Sequence, residues 1–247
     1  MSNSIDNLLY EFKKIKRKGW IQSCARGSGR IGVTFEKELG NSENNLALPD
    51  YQDIEIKCIG LNTIYPITLF STIFDGPSNC EVQRIVSKYG RFDSHFPGKK
   101  TLYASLCCQK AYLVYNKYYF KLEINRVEEK IYLVIYDINY NLIEKISYIS
   151  FKTIESHLIK KLSKLAIVYA LNKYENHSYY FNYFDISIYT LKSVDDFLNL
   201  LEKDYIQANV AYRIMKSVTH YGKPSSKNIV FTIKLKYIPK LFSKVSL

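Results

Sequence analysis

Cysteine is sparse and unpatterned in this chain of 247 residues. Cys24, Cys58, Cys80, Cys107 and Cys108 are odd in number and show no Cys-x-x-Cys or Cys/His zinc spacing. That argues against a disulfide framework or a structural zinc site, and a reduced, intracellular setting is expected. No apolar run approaches the ~18 residues that a membrane span requires. The first residues, Met-Ser-Asn-Ser-Ile-Asp-Asn, lack a charged segment followed by an apolar one, so no secretory leader is read. A cytoplasmic protein with no membrane partner is the expectation. The glycine-rich stretch from Cys24 to Gly32 lacks the Gly-Lys-Ser/Thr ending of a P-loop, and no dinucleotide fingerprint follows a strand. Internal repeats and low-complexity tracts are missing as well.

What is present points to a folded, basic protein. Hydrophobic residues make up 47% and aromatics 15% of the chain, ample for a core. The length suits one sizeable domain or two packed lobes. Lys and Arg total 35 against 23 Asp and Glu, a net charge of +12, which favours a polyanionic partner such as nucleic acid.

The most informative stretch is Pro-Asp-Tyr-Gln-Asp-Ile-Glu-Ile-Lys, residues 49–57. Ile54, Ile56 and Cys58 alternate with Asp53, Glu55 and Lys57, the period of a half-buried β-strand. One face should enter a core, with Cys58 as a buried thiol, and the other should present Glu55 and Lys57 together. Pro49 suits the turn before the strand, where a short bend brings the Asp50 carboxylate back beside Glu55. Two carboxylates and an ammonium at one point are what divalent-metal phosphodiester hydrolysis needs. The carboxylates hold a hard cation such as Mg²⁺, which activates water and offsets phosphate charge, and Lys57 adds positive charge near the nucleophile. Asp53 shares the parity of Glu55, so geometry alone also permits it as a ligand.

Around this stretch the pattern alternates helices and strands. Ile5, Leu8, Leu9, Phe12 and Ile15 repeat at helical spacing, ending in a Lys/Arg cluster before Gly19. Arg26 and Arg30, in the glycine-rich loop, either approach a DNA backbone or belong to plain surface. Val33–Leu39 reads as a short helix carrying Glu36. Ile64–Phe70 reads as a further strand of the catalytic sheet, and Val82–Tyr89 as a helix. A polar segment follows in which Arg91 and His95 can reach base edges or be solvated. Tyr112–Asn125 and Lys130–Tyr140 alternate as strands, Thr153–Leu165 is a lysine-rich helix, and Leu165–Leu171 is a strand buried on both faces. Residues 172–178 look like a linker. The strands Gln207–Met215 and Asn228–Lys236 flank a basic loop, so that Arg213, His220, Tyr221, Lys223 and Lys227 form a groove-reading hairpin.

Gly32-Val-Thr-Phe-Glu36 followed by Pro49-Asp50-x4-Glu55-Ile56-Lys57 resembles the MvaI/BcnI family of type II restriction endonucleases. That family is distantly related to the MutH nickase within the PD-(D/E)xK nuclease superfamily. Thr68-Leu-Phe70, Lys88-Tyr-Gly90, the paired strands near 118–138, Ser150-Phe151 and residues 210–214 recur in the same order, so the resemblance covers nearly the whole chain.

The resemblance implies a mixed α/β (α+β) fold. Its restriction-endonuclease-like core, a mixed sheet flanked by helices, would span residues 1–175, with a smaller DNA-recognition lobe over 176–247 and DNA in the cleft between them. It implies Mg²⁺-dependent, site-specific cleavage of double-stranded DNA by a monomer that cuts the strands in turn, with a cognate DNA methyltransferase as functional partner. It selects Asp50 over Asp53 as metal ligand with Glu55, keeps Lys57 on the nucleophile, and assigns Glu36 as an additional acidic residue. The family reads short GC-rich sites of the CC-N-GG kind and matches Arg213 to a recognition arginine. Two departures stand out: the loop at 222–228 lacks paired histidines, and Ala211 replaces an acidic residue, so the target can differ. A MutH-like nickase and a non-catalytic basic DNA-binding protein are the rival readings.

Overall fold

The computed structural model describes residues 4–27, 29–40, 48–61, 63–225 and 228–246. In chain order these form α1 (Ser4–Arg17), β1 (Ile21–Gln22), α2 (Arg30–Glu38), β2 (Ile54–Gly60), β3 (Ile67–Thr72), α3 (Glu81–Tyr89), β4 (Arg91–Phe92) and β5 (Lys100–Leu106). There follow β6 (Tyr112–Val114), β7 (Tyr118–Asn125), β8 (Lys130–Asp137), β9 (Leu142–Glu144), β10 (Tyr148–Ser150) and α4 (Phe151–Leu162). The remainder is β11 (Lys164–Glu175), β12 (Ser178–Leu191), α5 (Val194–Glu202), β13 (Ile206–Tyr212), β14 (Ile229–Ile233), α6 (Ile238–Leu241) and β15 (Phe242–Lys244). Two compact units result: Met1–Tyr65 with His157–Lys192 and Pro239–Leu247, and Pro66–Ser156 with Ser193–Ile238.

The first unit is built on a mixed sheet in the order β1-β12-β11-β2, with β15 beside β12. β11 is buried on both faces from Leu165 to Val168, as its unbroken apolar run requires. It pairs antiparallel with β12 and parallel with β2, setting Glu55 opposite Leu165 and Lys57 opposite Ile167. Leu8, Phe12 and Ile15 of α1 fall on one helical stripe and pack with Phe35 of α2 onto Ile54, Ile56, Ala166, Val168 and Tyr183. The Tyr183 ring packs tilted against Phe35, centroids 5.0 Å apart, and its hydroxyl donates to the Ile31 carbonyl at 2.8 Å, which ties α2 to the sheet.

The second unit holds two antiparallel sheets, β3-β14-β13-β5-β4 and β10-β8-β7-β6 with β9 on β8. Phe70, Phe197 and Phe231 join β3, α5 and β14 at ring separations of 5.0–5.6 Å. Buried Glu81 in α3 is satisfied by Arg84 and by the Ser147 hydroxyl, while Arg84 also grips Glu144 at 2.7 Å. Ser193 caps α5, its hydroxyl accepting from Asp196 N at 2.9 Å.

Several expectations are corrected. The strand expected at 64–70 for the catalytic sheet is β3, which hydrogen-bonds to β14 in the second unit, and Ile64 and Tyr65 before it are exposed. The linker expected at 172–178 is the tip of the β11–β12 hairpin, reversed by Asn176 and His177 at φ 49° and 59°. The single division expected at 175/176 thus falls inside a continuous hairpin, whereas the two compact units are each discontinuous in sequence. The strand expected over 112–125 is a hairpin, broken by Tyr115 and Asn116 at positive φ. α2 starts at Arg30 rather than Val33 and α4 ends at Leu162, so Arg30 is helical.

Phe35 links α1 and α2 to the sheet and is fully buried. Phe35→Ala should cost ~3–5 kcal/mol, the usual toll for emptying an aromatic core site. Urea unfolding measures it, and an unchanged midpoint would contradict this packing.

Candidate active site

The chain reverses tightly before β2. Tyr51 N donates to Ile54 O at 3.0 Å and Ile54 N to Tyr51 O at 2.8 Å, with Gln52 at φ 53°. This bend lays Asp50 along the strand, where its Oδ2 accepts from Ile56 N at 2.9 Å. β2 ends the sheet, so an N–H on its open side needs an acceptor, and Asp50 supplies it.

Glu55 and Lys57 lie on the β2 face opposite Ile54 and Ile56, as period-two alternation demands. The exposure of that face differs from the sequence expectation. Glu55 is 0% exposed instead of solvated, because β2 is buried on both sides along its first three residues. Its Oε1 accepts from Lys57 Nζ and stands 3.3 Å from Lys161 Nζ in the last turn of α4. Its Oε2 is buried with no hydrogen-bond partner among the described residues. Burial pushes the Glu55 carboxyl above its ordinary range; Lys57 opposes this, and the like charge of Asp50 adds to it.

Asp53 goes elsewhere. It pairs with Lys164 at 2.6 Å, and hydrogen bonds from Lys164 and Ser4 hold its carboxyl below the usual range. Glu36, on α2, approaches from the Cys58 side: burial chiefly raises the Cys58 thiol, and the Glu36 and Asp50 charges raise it further. The structure therefore brings Asp50, Glu55 and Lys57 together, adds Lys161, and leaves Asp53 out. Lys161 was readable in the sequence only as one of several helix lysines.

An oxygen-only pair fits a hard divalent cation. Glu55 Oε2 is an unclaimed buried acceptor beside a second carboxylate. No group of three or more His, Cys, Asp or Glu converges among the described residues. A cation here would therefore complete its shell with water and phosphate oxygens, the habit of Mg²⁺.

The residues expected to contact DNA divide between the units. In the first, Arg26 is exposed, while the Arg30 side chain donates to Gly27 O and its guanidinium lies 4.0 Å from the Tyr179 ring centroid. In the second, Arg91 stands 4.9 Å from the Tyr115 ring centroid, and His95, Arg213, His220 and Lys223 are all exposed. The basic loop after β13 closes on itself through Met215 N to Lys223 O at 2.8 Å and Ser225 N to Arg213 O at 2.7 Å. It packs on the His95 loop: Phe96 and Tyr221 meet edge to face at 5.1 Å, and Lys99 Nζ donates to Gly222 O. A recess of about 430 Å³ opens beside Arg213, Asp93 and Tyr103. No carboxylate among the described residues pairs with Arg213. Lys227 lies outside the described residues.

The MvaI/BcnI restriction endonuclease family matches residues 9–242. Among solved structures, the chain is similar to a restriction endonuclease MvaI–cognate DNA substrate complex at 25% identity, covering 99% of this chain and 98% of that one, with a TM-score of 0.90. Restriction endonuclease MvaI in the absence of DNA is similar at 22% identity over the same shares, with a TM-score of 0.61, a likeness of fold. No curated protein matches the chain. The mixed α+β fold expected from the sequence is the fold of these structures.

The raised Glu55 pKa has a consequence for stability without metal. A carboxyl whose pKa is higher folded than unfolded favours the fold in its protonated form. That contribution is full below its ordinary 4.5 and is lost as pH rises through the raised value. Metal-free wild type should lose stability relative to Glu55→Gln over that rise, measured by urea midpoints in chelator. A gap independent of pH, or one widening in favour of wild type, would contradict the buried carboxylate.

Proposed function

The chain belongs to the MvaI/BcnI restriction endonuclease family and is a type II site-specific deoxyribonuclease, and we propose that Asp50, Glu55 and Lys57 form its Mg²⁺-dependent hydrolytic centre. The observation that carries this reading is the buried Glu55 carboxylate, with Oε1 facing two lysines and Oε2 unclaimed beside Asp50. Asp50 and Glu55 Oε2 would hold the ion. Mg²⁺ bound there supplies charge against the scissile phosphate and lowers the pKa of water. Lys57, a quarter exposed, can turn its ammonium from Glu55 toward the attacking water and hold it in line with the phosphorus. Glu36, on α2, is the additional acidic residue in this reading.

Substrate recognition belongs to the second unit in this reading. Arg213, His220 and Lys223 on one loop and His95 on the loop packed against it offer donors to base edges, and Arg91 offers one to base or phosphate. Arg26 and Arg30 of the first unit are suited to backbone phosphates. The cognate DNA bound by the similar MvaI complex supports double-stranded DNA as substrate. A short GC-rich target of the CC-N-GG kind, a monomer cutting one strand and then the other, and a cytoplasmic enzyme protecting its host DNA through a cognate methyltransferase complete the proposal.

Plasmid digestion in Mg²⁺ tests the centre. Asp50→Asn and Lys57→Ala should lose cleavage, with DNA binding kept within about tenfold because neither side chain reads bases, whereas Asp53→Asn should keep most activity. Loss of cleavage in Asp53→Asn with retention in Asp50→Asn would reassign the metal site. A product that stays nicked and never becomes linear would mark a strand-nicking enzyme.

Recognition has its own test. Arg213→Ala should lose ~1–3 kcal/mol on cognate duplex and little on non-cognate duplex, because a bidentate arginine–guanine contact carries discrimination. Titrations at two salt concentrations separate this from a phosphate contact, whose loss weakens both duplexes alike and lowers the salt slope.

A further inference from the structure

Lys161 is the polar group at this centre to which the proposed chemistry gives no task. It lies in the final turn of α4, three-quarters buried, with Nζ 3.3 Å from Glu55 Oε1. Its neighbour Lys160 is exposed, so this is one directed side chain and not a general lysine face. Lys57 Nζ donates to the same Oε1, while Oε2 receives nothing among the described residues. One carboxylate thus has both cations on one oxygen and none on the other.

That asymmetry matters because Lys57 has a second duty. If it turns toward the attacking water, Oε1 loses a donor in a place without solvent, and a buried acceptor left unmade is costly. The carboxylate would then be free to rotate both oxygens away from the cation. Lys161 approaches the same oxygen from a different element, α4 rather than β2.

We propose that Lys161 is a positioning residue: it keeps Glu55 Oε1 engaged while Lys57 serves the water, so that Oε2 stays presented to the divalent cation beside Asp50. The inference rests on reading Asp50 and Glu55 as the metal ligands. Partners that orient a metal ligand from behind typically change affinity by about 10–100-fold when removed.

The test is Mn²⁺ binding to the full chain without DNA, followed by electron paramagnetic resonance, with thermal melting alongside. Lys161→Met keeps the aliphatic stem and removes the charge, Lys161→Gln replaces it if the methionine variant does not fold, and Lys161→Arg restores a cation. The neutral variant should bind Mn²⁺ about tenfold more weakly, and Lys161→Arg should recover most of that loss. Unchanged or tighter Mn²⁺ binding in the folded neutral variant would overturn the proposal. So would unchanged Mn²⁺ binding with a loss of metal-free DNA affinity, which would make Lys161 a phosphate contact. If wild type shows no saturable Mn²⁺ binding sensitive to Asp50→Asn, the metal-site reading falls and this inference falls with it. Wild-type binding with an unaffected neutral variant removes the inference alone.

Discussion

A carboxylate with no exposed surface, that of Glu55, is the constraint around which the first unit is arranged. Taking an ion out of water costs several kcal/mol unless partners restore its solvation. Lys57 from the same strand and Lys161 from α4 do so on one oxygen only. Asp50 adds a second negative charge nearby and raises the cost, held there by the Tyr51–Ile54 reversal and the Ile56 amide. Packing cannot explain such an arrangement, since an apolar side chain would fill the space on better terms. The proposed divalent cation would complete it with charge of the right sign.

How far this was legible in the sequence depends on whether the determining contact was local. The parity that puts Ile54 and Ile56 in the core and Glu55 with Lys57 follows from period two and could be read directly. So could the return of Asp50, although Gln52 reaches positive φ without the glycine that usually signals such a bend. The burial of Glu55 could not be read, because the strand beside it is β11, far along the chain. The same distance hid the destination of β3, whose composition announces a strand but not that β14 would claim it. The β11–β12 tip reads as a linker in sequence because Asn176-His177 lacks the Asn-Gly signature, although both residues adopt the left-handed turn. Lys161 is visible as a helix lysine; strand parity alone admits Asp53 beside Asp50, the resemblance selects Asp50, and in the structure Asp53 pairs with Lys164.

The second unit shows a different use of polar groups. Its buried charge is structural: Glu81, Arg84 and Glu144 satisfy one another and bind α3 to β9. Its exposed charge gathers where two loops pack through Phe96, Tyr221 and Lys99, beside a recess with Arg213 at its rim. An arginine without a carboxylate partner among the described residues has its donors available, which suits recognition of a polyanion by a chain of net charge +12. Ala211, where the resembling family carries an acid, lies exposed opposite Tyr103. Asp93 lines the recess beside Arg213 and is the carboxylate present there.

In the proposed centre, Asp50 and Glu55 together bind the divalent cation that serves phosphodiester cleavage. A crystal of the chain soaked in Mn²⁺ and measured for anomalous scattering tests it most directly. The account predicts one strong peak within ~2.0–2.4 Å of both Asp50 and Glu55 Oε2, with Glu55 Oε1 still facing Lys161. A peak at Asp53 and none at Glu55, or Mn²⁺ bound by the Glu55 oxygen that faces Lys161, would contradict it.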